Sequence, residues 1–267
     1  MAVYSVVKNS QFSYTVLMDY TEKVAIVTGA SGQLGQAIGV GLAEKGMDVV
    51  CHYHTRNKVI EEVTAAIEQT GRRSAAVRAD LADPAVSEHI FEKARKFGPV
   101  RVLVNSASVF QRNPVGTFSH ADVSQILAVN VTAPLMLCSA FSAYLQQQGI
   151  DYKQSDEPFA AIINMFDVAA VKPWARYSPY CAGRAAMIGA TQSLAKELAP
   201  GVTVNAVAPG FVTWPGMMDP AEEQKQLKMI PAGRFGEPKD ITRTISFLLD
   251  SPYITGQTLC VDGGRSI

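Results

Sequence analysis

Short runs of valine, isoleucine and alanine recur along this chain, each followed by a stretch with helical periodicity. That alternation constrains the fold more than any other feature. Residues 24–27, 48–54, 75–78, 100–104, 161–165, 202–207 and 258–261 read as strands. As a group they do not alternate apolar with polar side chains, so both sheet faces are expected to be covered. Helical patterns lie between them, over 37–45 and 58–69, and Pro84 opens another as a first-turn residue. Such an order predicts an α/β fold, a doubly wound parallel sheet of about seven strands with helices on both faces. No internal repeat or linker divides the chain, so residues 21–267 are expected to form one domain. Residues 1–20, which have no clear period, are expected to form an N-terminal extension.

Composition narrows the partners. Hydrophobic residues make up 48% and charged residues 18%, which excludes disorder for the chain as a whole. The 24 basic side chains balance 24 acidic ones. Nucleic-acid and anionic-membrane binders need clustered positive charge, so neither partner is expected. Cys51, Cys138, Cys181 and Cys260 are far apart without a CxxC pair, and a disulfide framework is not expected. His52 and His54 beside Cys51 lack a second ligand cluster, so no metal site is expected either. The N-terminus lacks the basic start and long apolar core of a secretory signal, which points to a cytoplasmic protein.

Residues 124–150 contain no charged side chain. Asn130, Thr132, Pro134, Ser139 and Ser142 interrupt the stretch, and its apolar runs fall far short of the ~20 residues of a membrane span. A later helical pattern carries Met187, Ile188, Ala190, Leu194 and Leu198 with little charge. Burial between subunits accounts for both, so a homo-oligomer is expected.

The residues that bear chemistry cluster at strand ends. Thr28-Gly29-Ala30-Ser31-Gly32-Gln33-Leu34-Gly35 follows a strand and opens a helix. In that context a glycine turn lets backbone N–H groups and a helix N-terminus approach a pyrophosphate, as in a Rossmann-type dinucleotide fold. The second strand ends in His52-Tyr53-His54-Thr55-Arg56, and no carboxylate follows before Glu61. An acid there would hold the ribose 2′-hydroxyl of NAD, whereas the 2′-phosphate of NADP needs a cation. NADPH is therefore the expected cofactor, with Arg56 at its 2′-phosphate. Tyr180 and Arg184 fall on one helical face at i, i+4. A phenol is a poor proton-transfer group near neutrality unless a cation stabilises its phenolate, and Arg184 is placed to supply one. Asp167 follows the fifth strand at the carboxyl edge, where ligands bind in such sheets.

Together with Ala79-Asp80-Leu81, Asn105-Ser106-Ala107, Asn130, Ala208-Pro209-Gly210 and Val261-Asp262-Gly263-Gly264, these motifs resemble the short-chain dehydrogenase/reductase family from Lys23 to Arg265. The resemblance implies cofactor contacts at Gly29, Ser31, Gln33, Leu34, Gly35, His52, Tyr53, His54, Arg56, Asp80, Leu81, Ser106, Ala107, Ser108, Tyr180, Arg184, Pro209 and Gly210. It also implies catalytic roles for Asp167, Tyr180, Arg184 and Asn130, and a homotetramer. Within the family the chain looks most like the pteridine reductases, including dihydromonapterin reductases. His52-Tyr53-His54, Asp167 in place of the usual serine, Phe110, and the polar connection from Gln146 to Pro158 carry that likeness.

This branch implies a pteridine-like small molecule as substrate, with Phe110, Asp167, Tyr180, Phe211 and Trp214 around it and a lid over 211–230. Hydride would pass to a C=N bond. Gln33 and Arg184 depart from the family pattern. Arginine replaces a lysine and cannot release a proton at working pH. A carbonyl reductase of the 3-oxoacyl type is the alternative, since Gly233-Arg234-Phe235-Gly236-Glu237-Pro238 is equally at home there. A non-catalytic NADPH-binding regulator is the third reading.

Overall fold

The computed structural model describes residues 19–212 and 219–267. Among these, seven strands form one parallel sheet: β1 (Val24–Val27), β2 (Asp48–Tyr53), β3 (Ser74–Arg78), β4 (Val100–Asn105), β5 (Ala160–Met165), β6 (Val202–Pro209) and β7 (Thr258–Val261). Their order is β3-β2-β1-β4-β5-β6-β7, parallel at every step. Order reverses between β1 and β4, and a crevice opens at the carboxyl ends of those strands, as such a switch point requires.

Successive residues of β1 feed opposite cores. Val24 and Ile26 pack with Phe91, Leu137, Phe141 and Leu145, while Ala25 and Val27 pack with Ile38, Leu42, Ile67 and Leu248. One layer comprises α1 (Gln33–Glu44), α2 (Asn57–Gln69) and the final helix (Pro238–Leu249). The other holds α3 (Val86–Ala94), the helices after β4, and Ser178–Leu198. Both faces are thus sealed, which is why a strand such as β1 carries apolar residues toward both.

The glycine turn is tighter than the sequence pattern suggests, with α1 starting at Gln33 rather than at residue 37. Gly35 therefore lies in the first helical turn. A Cβ there would stand 2.2 Å from the Gly29 carbonyl oxygen, so only glycine lets helix and turn meet. Tyr20, expected in the N-terminal extension, belongs to the domain: it is buried, and its hydroxyl donates to the Leu249 carbonyl at 3.4 Å. Residues 1–18 of the extension lie outside the described residues.

The uncharged stretch becomes α4 (His120–Leu127), a π-helical turn (Ala128–Thr132) and α5 (Ala133–Gln147). His120–Gln147 is long and apolar enough to cross a membrane by length and composition. Here Leu137, Phe141 and Leu145 cover the sheet, while Leu135 and Met136 are exposed. The next helix, α6 (Ser178–Leu198), follows β5. Within the expected lid, α7 (Pro220–Leu227) starts at Asp219, whose carboxylate accepts from Ala221 N at 2.7 Å. Trp214 lies outside the described residues. Pro238–Leu249 completes the set as α8.

Candidate active site

The crevice is a cleft of about 600 Å³. A single hydroxyl holds it open at the switch point. Thr28 Oγ1 accepts from Ser106 N at 3.0 Å and Ala107 N at 3.1 Å, joining the ends of β1 and β4. Gly29 follows with φ +66°, and a Cβ there would meet Ala107 Cα at 2.7 Å. Beyond it, α1 begins after Gly32, which provides no side-chain cap, so its first N–H groups are free to meet an anion. Ser31, Gln33, Leu34 and Gly35 line the cleft with His54, Arg56, Asp80 and Leu81.

Two residues given cofactor contacts by the family resemblance are engaged within the protein. Tyr53 does not line the cleft; its ring packs against the α1–α2 core, because side chains alternate along β2 and position 53 faces inward. His52 does line the cleft, yet both ring nitrogens are committed within the protein. Gly29 N donates to His52 Nδ1 at 3.3 Å, and Nε2 lies 3.1 Å from the Ala79 carbonyl. This pattern requires the proton on Nε2. Burial pushes the ring pKa down to about 4, with the Ala79 hydrogen bond opposing, so the ring is neutral near pH 7. His52 is a positioning residue that clamps the glycine turn to the end of β3.

The opposite end is built from side chains. Asp167 lies two residues past β5 and caps a short turn, with Oδ1 accepting from Ala169 N at 2.7 Å. Tyr180 donates its hydroxyl to Asp167 Oδ2. Burial raises the carboxyl pKa, while the Arg184 charge and the Ala169 N–H act against it. Arg184 is itself buried; desolvation pulls its pKa to about 10, partly offset by Asp167. Its guanidinium does not reach the phenol oxygen. It lies 5.1 Å from the Tyr180 ring centroid, donates to the Met165 carbonyl at 3.3 Å and to Ser108 Oγ, and leaves Nε buried without a partner. Arg184 thus acts on the face of the ring and on the carboxylate.

Asn130, expected among the catalytic groups, does not line the cleft. Its buried amide accepts from Val109 N at 2.8 Å and donates to Val109 O at 2.9 Å. It positions the segment that carries Ser108 and Phe110. Phe110 stands at the cleft mouth, 59% exposed, with its ring stacked on Tyr177 at 5.1 Å and 11° and edge-on to Tyr180 at 5.0 Å. Trp174 meets Phe110 edge-on at 6.2 Å. Trp174 and Tyr177 were missed from the sequence, although the Trp174-x-x-Tyr177-x-x-Tyr180 spacing marks them as neighbours. Arg265, also missed, lines the same cleft with Ala107, Pro209, Gly210 and Phe211.

A family profile described as "Enoyl-(Acyl carrier protein) reductase" matches residues 29–266. The chain belongs to the short-chain dehydrogenase/reductase family. Among curated relatives, a 3-oxoacyl-[acyl-carrier-protein] reductase of Synechocystis is 36% identical over 249 residues, covering 91% of this chain and 97% of that one. A 3beta-hydroxysteroid dehydrogenase 1 of Eggerthella lenta is 31% identical, covering 93% and 95%. Among solved structures, a blue fluorescent protein from a metagenomic library, in complex with NADPH, superposes with TM-score 0.82 at 32% identity, covering 93% and 100%. The FolM alternative dihydrofolate reductase 1 of Brucella canis, complexed with NADP, gives TM-score 0.81 at 28% identity, covering 93% and 96%. As a short-chain oxidoreductase, the protein uses a seven-stranded sheet to bring Asp167, Tyr180 and Arg184 to one cleft.

Proposed function

We propose that the protein is an NADPH-dependent reductase acting on a C=N bond of a dihydropterin or related pteridine. The observation that carries this reading is the Tyr180–Asp167 pair beneath Phe110 and its aromatic neighbours. A carboxylate suits the N–H edge of an aminopyrimidine, which a carbonyl substrate lacks. It would also repel the alkoxide that develops when a ketone is reduced. The aromatic mouth suits a flat ring.

The cofactor half fits NADPH. Gly29 and Gly35 allow close backbone approach, α1 offers uncapped N–H groups, and Arg56 follows β2 where a 2′-phosphate needs a cation. When bound, the nicotinamide supplies the hydride. Tyr180 then delivers its hydroxyl proton to the ring nitrogen, and Asp167, whose burial raises its proton affinity, takes up a proton from solvent and passes it to the phenolate through Oδ2. Arg184 stays charged and balances the carboxylate throughout, so the replaced lysine is not required as a proton carrier. A homo-oligomer belongs to the same proposal, because Leu135 and Met136 leave apolar surface on α5. A monomer by light scattering at micromolar concentration contradicts it.

Reduction of a 3-oxoacyl thioester is the second reading, favoured by the names of the curated relatives, which support it better than they support a pterin substrate. NADPH oxidation measured with dihydromonapterin, dihydrobiopterin and a 3-oxoacyl thioester separates the two. Asp167→Ser should lower kcat/KM for a dihydropterin by at least about tenfold, or about 1.4 kcal/mol. An unchanged pterin rate, or a gain on the thioester alone, transfers the assignment to the second reading.

A further inference from the structure

Three guanidinium groups line the cleft: Arg56, Arg184 and Arg265. The first follows β2 on one side of the switch point, and the second serves Asp167 and Tyr180. Arg265 follows β7 on the far side and has no role in the scheme above. Its surroundings are built. Asp262 holds the terminal turn by accepting from Gly264 N at 2.9 Å and Ser266 N at 2.7 Å. Lys172, just after the turn that begins at Asp167, donates to the carbonyls of Arg265 and Ile267, each at 3.2 Å. The backbone that presents Arg265 is thereby tied to the catalytic loop.

The side chain is oriented as well. Its guanidinium lies 4.9 Å from the Phe211 ring centroid, and Nη2 donates to Gln226 Oε1 at 2.8 Å. Nη1 is buried and has no hydrogen-bond partner among the described residues. Among the described residues no carboxylate lies within ion-pair distance of Arg265, and Asp262, whose oxygens hold the turn, acts on it only at longer range. A buried cationic donor without an acceptor is costly, and a planar guanidinium fits an oxyanion with two parallel bonds.

We propose that Arg265 is a specificity residue that anchors an oxyanion, a carboxylate or a phosphate, on the end of the substrate remote from the reacting bond. This rests on the reading of the cleft as a reductase substrate site. It implies that the preferred substrate carries an anionic tail, and that Gln226 on α7 and Phe211 steady the arginine that receives it.

The test compares dihydrofolate, with carboxylates on its tail, with dihydrobiopterin, whose tail is uncharged, and with acetoacetyl-coenzyme A, which bears phosphates. Arg265→Met should lower the ratio of kcat/KM for dihydrofolate over dihydrobiopterin by about tenfold or more, the scale of a charged hydrogen bond, through KM. Arg265→Lys should recover part of it. If only acetoacetyl-coenzyme A is reduced and Arg265→Met raises its KM by as much, the anchor stands with phosphate as its ligand and the pterin reading falls. Equal losses on charged and uncharged pterins overturn the proposal in favour of a structural role. So does weakened NADPH binding with an unchanged ratio. Should nothing be reduced, titration of dihydrofolate onto the NADP-loaded protein reads the same dependence, and absence of binding overturns it.

Discussion

The two ends of the cleft are made in different ways. The cofactor end is mostly backbone: a turn that only glycine permits, an uncapped helix start and one neutral imidazole clamped between Gly29 and Ala79. The chemistry end is mostly buried side chain, with a carboxylate from the turn after β5 and a phenol and a guanidinium from α6. Backbone donors carry no net charge, and water or a bound anion satisfies them at little cost. Buried charges are costly to hold, and each depends on its partner. The first end is therefore expected to be robust and general, the second fragile and particular.

Arg184→Met tests that contrast most severely. It removes the cation opposing a buried carboxylate, and about 3–5 kcal/mol of stability should be lost by urea unfolding, with activity nearly abolished. Arg184→Lys keeps the charge and should retain most of both. A stable, active methionine variant would erase the distinction between the two ends.

Acid sharpens it, because the two ends respond with opposite sign. His52 is held below its ordinary value, at about 4, so its contribution is full above about pH 6.5 and is lost as pH falls through about 4. The loss is on the order of 3 kcal/mol. Asp167 is held above its ordinary value, so it takes up its proton more readily when folded and opposes acid unfolding there. His52→Asn should flatten the fall in Tm between pH 6.5 and 4, whereas Asp167→Asn should not. Identical pH profiles for wild type and His52→Asn would refute the clamp.

The smallest effect belongs to the exposed rim. Arg56→Ala should weaken NADPH binding by about 1–3 kcal/mol and leave NADH nearly unchanged. Equal losses in a binding titration would show that Arg56 does not read the 2′-phosphate.

Legibility from sequence follows the same division. The strands and the glycine turn were readable because apolar runs and glycine spacing are local signals, displaced by a few residues where Gly35 packs onto Gly29 and where α3 starts at Val86, so that Pro84 precedes the helix and does not open its first turn. Tyr180, Arg184 and Asp167 were readable because their motif spacing is short. The role of His52 was not, since nothing in His52-Tyr53-His54 indicates that both ring nitrogens are spent on Gly29 and Ala79. Arg265 was invisible for a related reason: it enters the cleft only because β7 returns beside β6 and the terminal turn folds over Phe211.

The Asn130 amide meets Val109 as an adjacent strand would, offering one donor and one acceptor to one residue's N–H and C=O. A side chain thus stands in for a peptide unit, inside a π-helical turn whose extra residue brings it into register. Mutational tolerance should collapse at this position. Aspartate replaces the donor with an oxygen facing a carbonyl, glutamine overshoots by a methylene, and leucine matches the volume without the polarity. A saturation library selected for activity should return asparagine alone at position 130, beside neighbours such as Val131 that accept several residues. The rate at which this segment can evolve is then set by an atom pair outside the cleft.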